Sequence, residues 1–255
     1  MMGIIAILTV LRKSIGGIMN FKGKKCLITG ATGALGSALA RKLKSKGCSL
    51  FLTGKDSNNL GDLAKELNND SDEQRICYSA IDLTYPSSVD TLIRDAGRVF
   101  DVDILINVAG AFTIKEIDEV SKLDLDSFIE LNVKAPYLLC QHFCKSMKEK
   151  KWGRIVNIGS SSSYNGFKKG SLYCMTKHAI LGMTRALYEE LKEHNIQVVC
   201  VSPGSMQSEM GKVSTDQDFS TFLKPEDVAE QVINVLSMEN NMVCNELRLN
   251  RVIMR

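Results

Sequence analysis

Short apolar runs recur along the chain, each followed by a stretch whose hydrophobic positions return every three to four residues. The runs are 25–29 (KCLIT), 49–53 (SLFLT), 75–81 (RICYSAI), 103–107 (DILIN), 154–158 (RIVNI), 196–201 (IQVVCV) and 243–249 (VCNELRL). Each has strand length and is close to continuously apolar, as expected of strands covered on both faces. The intervening stretches 35–46, 57–68, 86–98, 122–150, 171–194 and 225–238 have the spacing of amphipathic helices. Pro225, followed by Glu226 and Asp227, marks a helix start, with acids placed against the positive end of the dipole. Strands alternating with helices predict an α/β protein: a parallel sheet, doubly wound through right-handed crossovers. No repeat, composition shift or Pro-rich linker divides it, so a single domain is expected.

Composition narrows the functional classes. A chain of 255 residues can bury a sizeable core, and its formal net charge of +3 gives no basis for nucleic-acid binding. Eight cysteines are present without a C-x-x-C pair. Cys26, Cys77 and Cys200 lie in the apolar runs, where cysteine acts as a small hydrophobe, and Cys140 and Cys144 share a predicted helix face. His142, His178 and His194 do not fall at metal-ligand spacing. These features predict free thiols, a reducing cytoplasmic setting and no metal. Residues 3–11 (GIIAILTVL) are apolar but too short to span a bilayer, and Arg12 and Lys13 follow rather than precede them. The expectation is an extension over 1–18, with Met19 as the native start and the domain running over 19–255. A weak membrane-surface anchor is the competing reading of that extension.

The candidate chemistry lies in GSSSSYNGFKKGSLYCMTK. Tyr173 and Lys177 are four apart on a predicted helix, so both leave the same face, and Ser160 stands thirteen residues upstream. An ammonium beside a phenol lowers its pKa by ~1–3 units from about 10, which suits it to proton transfer near neutral pH. A second hydroxyl beside it is suited to hold a carbonyl oxygen. Taken alone, Tyr-x-x-x-Lys is more often a surface helix pair than a functional one.

Its surroundings shift the balance. The first strand runs into TGATGALG, with Gly30, Thr32, Gly33, Leu35 and Gly36 at a strand-to-helix turn able to approach a pyrophosphate. The second strand ends in Thr53-Gly54-Lys55 without the acidic residue that holds a ribose 2′-OH. Lys55 suits a 2′-phosphate, so NADP(H) is favoured over NAD(H), although Asp56 stands next to it. Asp82 and Leu83 close the third strand, where an Asp can meet an adenine amino group. Asn107, Ala109 and Gly110 close the fourth. Pro203, Gly204, Met206 and Ser208 follow the sixth and can fold over a nicotinamide, with Ser208 hydrogen-bonding its carboxamide. Ligands of open α/β sheets bind at this carboxyl edge.

In this order TGATGALG, IDL, NVAG, LNVKAP, VNIGSS, YCMTK and SPGSMQS resemble the short-chain dehydrogenase/reductase family, in its branch of about 250 residues, over Lys24 to roughly Leu249. The resemblance implies a seven-stranded sheet, a nicotinamide cofactor and the tetrad Asn132, Ser160, Tyr173 and Lys177. It makes Tyr173 the general acid/base and Ser160 the holder of the substrate oxygen. Lys177 would lower the pKa of Tyr173 and bind the nicotinamide ribose. Asn132, on the helix opened by 122–131, would position a water for the proton relay. The chain departs from the family pattern at Ala34 and Gly159, where relatives commonly carry glycine and serine, and at Ser208, where they carry threonine.

The expected function is NADP(H)-dependent interconversion of a ketone and a secondary alcohol, with 3-oxoacyl-acyl carrier protein reduction as one analogy. A catalytically idle NADP(H)-binding sensor or scaffold on the same fold is the alternative. The pocket is expected between 111–119, 161–167 and 205–224. The resemblance also implies a homodimer or homotetramer built on 122–150 and 171–194, although Leu131, Val133, Leu138, Leu139 and Phe143 suit core packing equally.

Overall fold

The computed structural model describes residues 19–68, 74–213, 217–239 and 242–252, so expectations for residues 1–18 lie outside the described residues. Seven strands form one parallel sheet: β1 (Lys25–Thr29), β2 (Ser49–Gly54), β3 (Ile76–Ala80), β4 (Ile104–Asn107), β5 (Gly153–Ile158), β6 (Ile196–Pro203) and β7 (Glu246–Leu249). Their order across the sheet is β3-β2-β1-β4-β5-β6-β7, with β1 between β2 and β4. The winding direction therefore reverses at β1, and a crevice opens beyond the carboxyl ends of β1 and β4. This is the doubly wound α/β architecture expected from the sequence.

The two-residue strand period divides the core. Cys26 and Ile28 of β1 face one layer with Leu50, Leu52, Ile104 and Ile106, whereas Leu27, Phe51 and Leu105 face the other. The first layer is covered by α1 (Ala34–Ser45), α2 (Ser57–Leu67) and α7 (Pro225–Leu236). The second is covered by α3 (Ser88–Gly97), α5 (Ala135–Lys150) and the end of α6 (Ser171–Leu191). Leu131, Leu139 and Phe143, which also suited an intersubunit face, are buried in this second layer.

Two element boundaries differ from expectation. The single helix predicted over 122–150 is two helices, α4 (Lys122–Ile129) and α5, joined by a widened π-turn over Glu130–Lys134. Pro136 carries no N–H, so it cannot close an α-helical bond to the carbonyl of Asn132, and the ladder loosens there. β6 continues to Pro203 and pairs Ser202 with Arg248 and Pro203 with Leu249, so these two residues end the strand rather than begin the loop.

All eight cysteines are free, five of them buried. Burial pushes the Cys48 and Cys140 thiols up to about 12, which keeps them protonated and unreactive. Among the described residues no helix is long and apolar enough to cross a membrane, and no cluster of three His, Cys, Asp or Glu side chains could hold a metal.

Candidate active site

Beyond β1 the chain turns through Gly30–Gly33 into α1. Gly30 has φ +62°, and a Cβ there would lie 2.8 Å from the Ala109 nitrogen at the end of β4. A Cβ on Gly36 would sit 2.2 Å from the Gly30 carbonyl oxygen, so α1 approaches the turn only because both residues are glycine. Gly33 is extended (φ −71°) and precedes the helix, which starts at Ala34. No side chain caps α1 and no acid lies in its first turn, so its free N–H groups suit a phosphate. Thr32, Gly33, Ala34 and Leu35 line one wall of a cavity of about 1440 Å³. That volume exceeds the ~300–1,000 Å³ of a site for one small ligand and suits a cofactor together with a substrate.

Lys55 lines the same cavity, its ammonium 3.2 Å from Asp82. Burial pushes the Asp82 carboxyl up, but hydrogen bonds from the Thr84 N–H (2.9 Å) and hydroxyl (2.8 Å), together with Lys55, outweigh it and leave it below the ordinary value. The Asp56 carboxylate accepts from the Asn59 N–H at 2.8 Å and caps α2. The acid beside Lys55 is thus committed to the helix, and Lys55 is held at the cavity by the tip of β3.

Tyr173 and Lys177 lie one turn apart in the first half of α6, 7 % and 6 % exposed, and line the cavity with Ser160. Ser160 follows β5 and opens a short turn; its hydroxyl accepts from the Ser162 N–H at 3.1 Å and hydrogen-bonds the Tyr173 side chain. The three residues brought together on paper are therefore together in space. The expected electrostatics are not. Burial raises the Tyr173 phenol above its ordinary value, and the bond with Ser160 only partly offsets that rise. The Lys177 ammonium donates to the Ile158 carbonyl oxygen at 2.8 Å and stands 5.7 Å from the centre of the Tyr173 ring. Burial drives Lys177 itself down to about 8.

Asn132 sits in the π-turn, 2 % exposed. Its side-chain oxygen accepts from the Ala111 N–H at 2.8 Å, and its amide donates to the Ala111 carbonyl (3.0 Å) and the Thr176 hydroxyl (3.1 Å). Its side chain thus ties the chain after β4 to α6, one residue from Lys177.

Asn107 requires a correction. Sequence reasoning placed it against the cofactor, but it does not line the cavity: its amide donates to the Asn157 side chain at 2.8 Å and to the Cys140 sulfur at 3.6 Å, between β4 and β5. Inward-facing alternation on β4 sends it beneath the sheet edge, while Val108, Ala109 and Gly110 reach the cavity. Gly36, Asp82 and Asn132 also stay off the lining and instead contact Gly30, Lys55 and Ala111, respectively. Leu83, Pro203, Gly204, Met206 and Ser208 do line it. The Ser208 hydroxyl donates to the Met206 carbonyl (3.3 Å) and accepts from the Gly211 N–H (3.0 Å). Gly159 is required here: a Cβ would meet the Ser202 oxygen at 2.6 Å and the Cys200 sulfur at 2.9 Å.

Sequence reasoning did not single out Phe112 and Phe167. The Phe112 ring stands edge-on to Tyr173 at 4.8 Å and 90°, and Phe167 lies 6.2 Å beyond it. Both fall inside the segments expected to wall the pocket, but nothing in the spacing marks them as touching each other.

A glycine-lined turn, an uncapped helix and a buried Ser-Tyr-Lys cluster on one crevice define a dinucleotide-binding oxidoreductase fold. The short chain dehydrogenase family model matches residues 24–218, and the chain belongs to that family. It is 30% identical over 230 residues to an uncharacterized oxidoreductase of Staphylococcus aureus strain USA300, covering 90% of this chain and 97% of the relative. A second uncharacterized oxidoreductase, from Staphylococcus saprophyticus, is 28% identical over 92% of this chain and all of its own length. Among solved structures, a metagenomic short-chain oxidoreductase in complex with NADP is 26% identical with a TM-score of 0.77, over 92% of this chain and 100% of that one. A 3-oxoacyl (acyl-carrier-protein) reductase of Agrobacterium tumefaciens C58 with NADP bound shares the fold, with a TM-score of 0.82 at 21% identity over 91% and 95% of the two chains. The family makes this chain an oxidoreductase with a nicotinamide cofactor and a small-molecule substrate.

Proposed function

We propose that the protein is an NADP(H)-dependent enzyme that interconverts a ketone and a secondary alcohol. The observation that carries this reading is the convergence of Ser160, Tyr173 and Lys177 on the cavity lined by the glycine turn. When bound, NADPH supplies the hydride to the carbonyl carbon. Ser160 donates a hydrogen bond to the substrate oxygen, and Tyr173 delivers the proton to that oxygen. Lys177, lowered to about 8, can exchange a proton at the cavity wall one helical turn from Tyr173. Asn132 holds α6 against the end of β4, which fixes both side chains relative to the nicotinamide. Lys55 would hold the 2′-phosphate, and the uncapped N–H groups in the first turn of α1 would hold the pyrophosphate. Support for NADP over NAD comes from Lys55 and from the NADP complex of the 26% identical metagenomic relative.

The reading includes a cytoplasmic setting and a homodimer or homotetramer. The exposed Leu123, Leu125, Tyr137 and Met175 on α4, α5 and α6 support such an assembly. Ketone-dependent oxidation of NADPH, followed by its absorbance and run alongside NADH, tests the activity. Turnover with preference for NADPH is expected. Tight NADPH binding with no turnover of any carbonyl would instead identify an idle cofactor-binding protein.

A further inference from the structure

The cavity beyond Tyr173 is unusual in what it leaves bare. Ile114, Phe167, Met210 and Val213 are 39 %, 40 %, 40 % and 50 % exposed, and all four line that one cavity, joined by Phe219. Large apolar side chains left in water in a concave site mark where an apolar ligand sits. Tyr173, Phe112 and Phe167 run outward as one aromatic wall, beginning at the catalytic phenol.

Gln207, Gln217, Glu209 and Lys212 on the opposite side each have a partner within the protein. Gln207 donates to the Ser220 carbonyl at 3.3 Å, and the Gln217 oxygen accepts from Arg251 at 2.6 Å and from Ser205 at 3.5 Å. Glu209 and Lys212 form an ion pair with each other. Lys168 is exposed, which leaves its charge in water while its stem extends the wall. A polyhydroxylated substrate would therefore compete with these existing contacts on one side and bury hydroxyls against apolar side chains on the other, at the cost of their desolvation.

We infer that the substrate is a ketone borne on a flat, apolar ring system, stacked along Phe112 and Phe167, and not a sugar or polyol. This rests on the proposed carbonyl reduction and adds the substrate class to it. The ring lies against the aromatic wall while its carbonyl reaches Ser160 and Tyr173. The Met210–Val213 segment covers the opposite side.

The test compares kcat/KM with NADPH for three ketones: 1-tetralone as the fused aryl ketone, fructose as the keto sugar, and 2,3-butanedione as a small carbonyl that needs no wall. The aryl ketone is expected to exceed fructose by at least ~100-fold. In Phe167→Ala the ratio of aryl ketone to butanedione should fall by about tenfold, as loss of one stacked ring predicts. Met210→Ser, at another exposed position, should lower the same ratio. Fructose used better than the aryl ketone, or a ratio unchanged in both variants, overturns the inference and leaves carbonyl reduction standing. Turnover of none of the three, with NADPH still bound, removes the parent reading and this inference with it.

Discussion

Two buried cations occupy opposite ends of the sheet, and their fates differ. Arg154, at the amino end of β5, is 2 % exposed; Lys177, behind the carboxyl end, is 6 % exposed. Neither has a carboxylate ion pair among the described residues. Arg154 lies 4.6 Å from the centre of the Trp152 ring, and its NH1 donates to the Gly153 carbonyl at 2.9 Å, while its Nε has no partner. Lys177 donates to the Ile158 carbonyl and faces the cavity. Burial lowers both, Arg154 to about 10 and Lys177 to about 8. A delocalised guanidinium shares its charge with an aromatic face and stays protonated at neutral pH. A lysine under the same pressure reaches the range in which it can exchange a proton. The residue type, more than the burial, separates a structural cation from a reactive one.

The largest expected effect is at the group Lys177 serves. Tyr173→Phe should lower kcat by on the order of 10³-fold or more, with the NADPH dissociation constant within about threefold by calorimetry. Next is the exchange that breaks the comparison itself. Lys177→Met should cost on the order of 10²–10³-fold in kcat/KM, whereas Arg154→Met, away from the cavity, should stay within about twofold.

Lys177→Met should also reveal a cost in stability. Its folded pKa of about 8 lies below the ~10.4 of an unfolded lysine, so the charged residue destabilises the fold. That penalty is complete below about pH 8 and fades as the pH rises towards ~10.4. Less the lost bond to Ile158, the variant should be more stable at pH 7 by on the order of 1–3 kcal/mol in urea unfolding, with the gain vanishing near pH 10.

Asn132→Ala should lower kcat/KM by about 10–100-fold, because α6 loses its tie to Ala111 and a displacement of ~1 Å costs about that much. Partial rescue by Asn132→Ser would mark it as a positioning residue. The smallest effect is at the rim: Lys55→Ala should raise KM for NADPH by about tenfold, leave NADH unchanged, and so narrow cofactor choice.

Much of this arrangement was legible in the chain because its causes are local. Continuous apolar runs identify strands buried on both faces, and Gly30 and Gly36 signal a turn that only glycine permits. Tyr173 and Lys177 share a face through helical spacing alone. What was illegible depends on tertiary contact. A break between α4 and α5 is signalled only by Pro136, while the widened turn itself arises where Asn132 is pulled to Ala111 and Thr176. Asn107 carried the residue type of a ligand contact, yet strand parity turned it to Asn157. The mutual effect of Tyr173 and Lys177 depends on burial and on the Ile158 carbonyl, neither of which spacing reveals.

The direct test of the difference between the two cations is the protonation of Lys177 in the folded protein. Its Cε and Nζ resonances, assigned in isotope-labelled protein by comparison with Lys177→Met, should titrate with a midpoint near 8, while the Arg154 guanidinium stays protonated across that transition. A Lys177 midpoint above 10, as in a solvated lysine, would contradict the account.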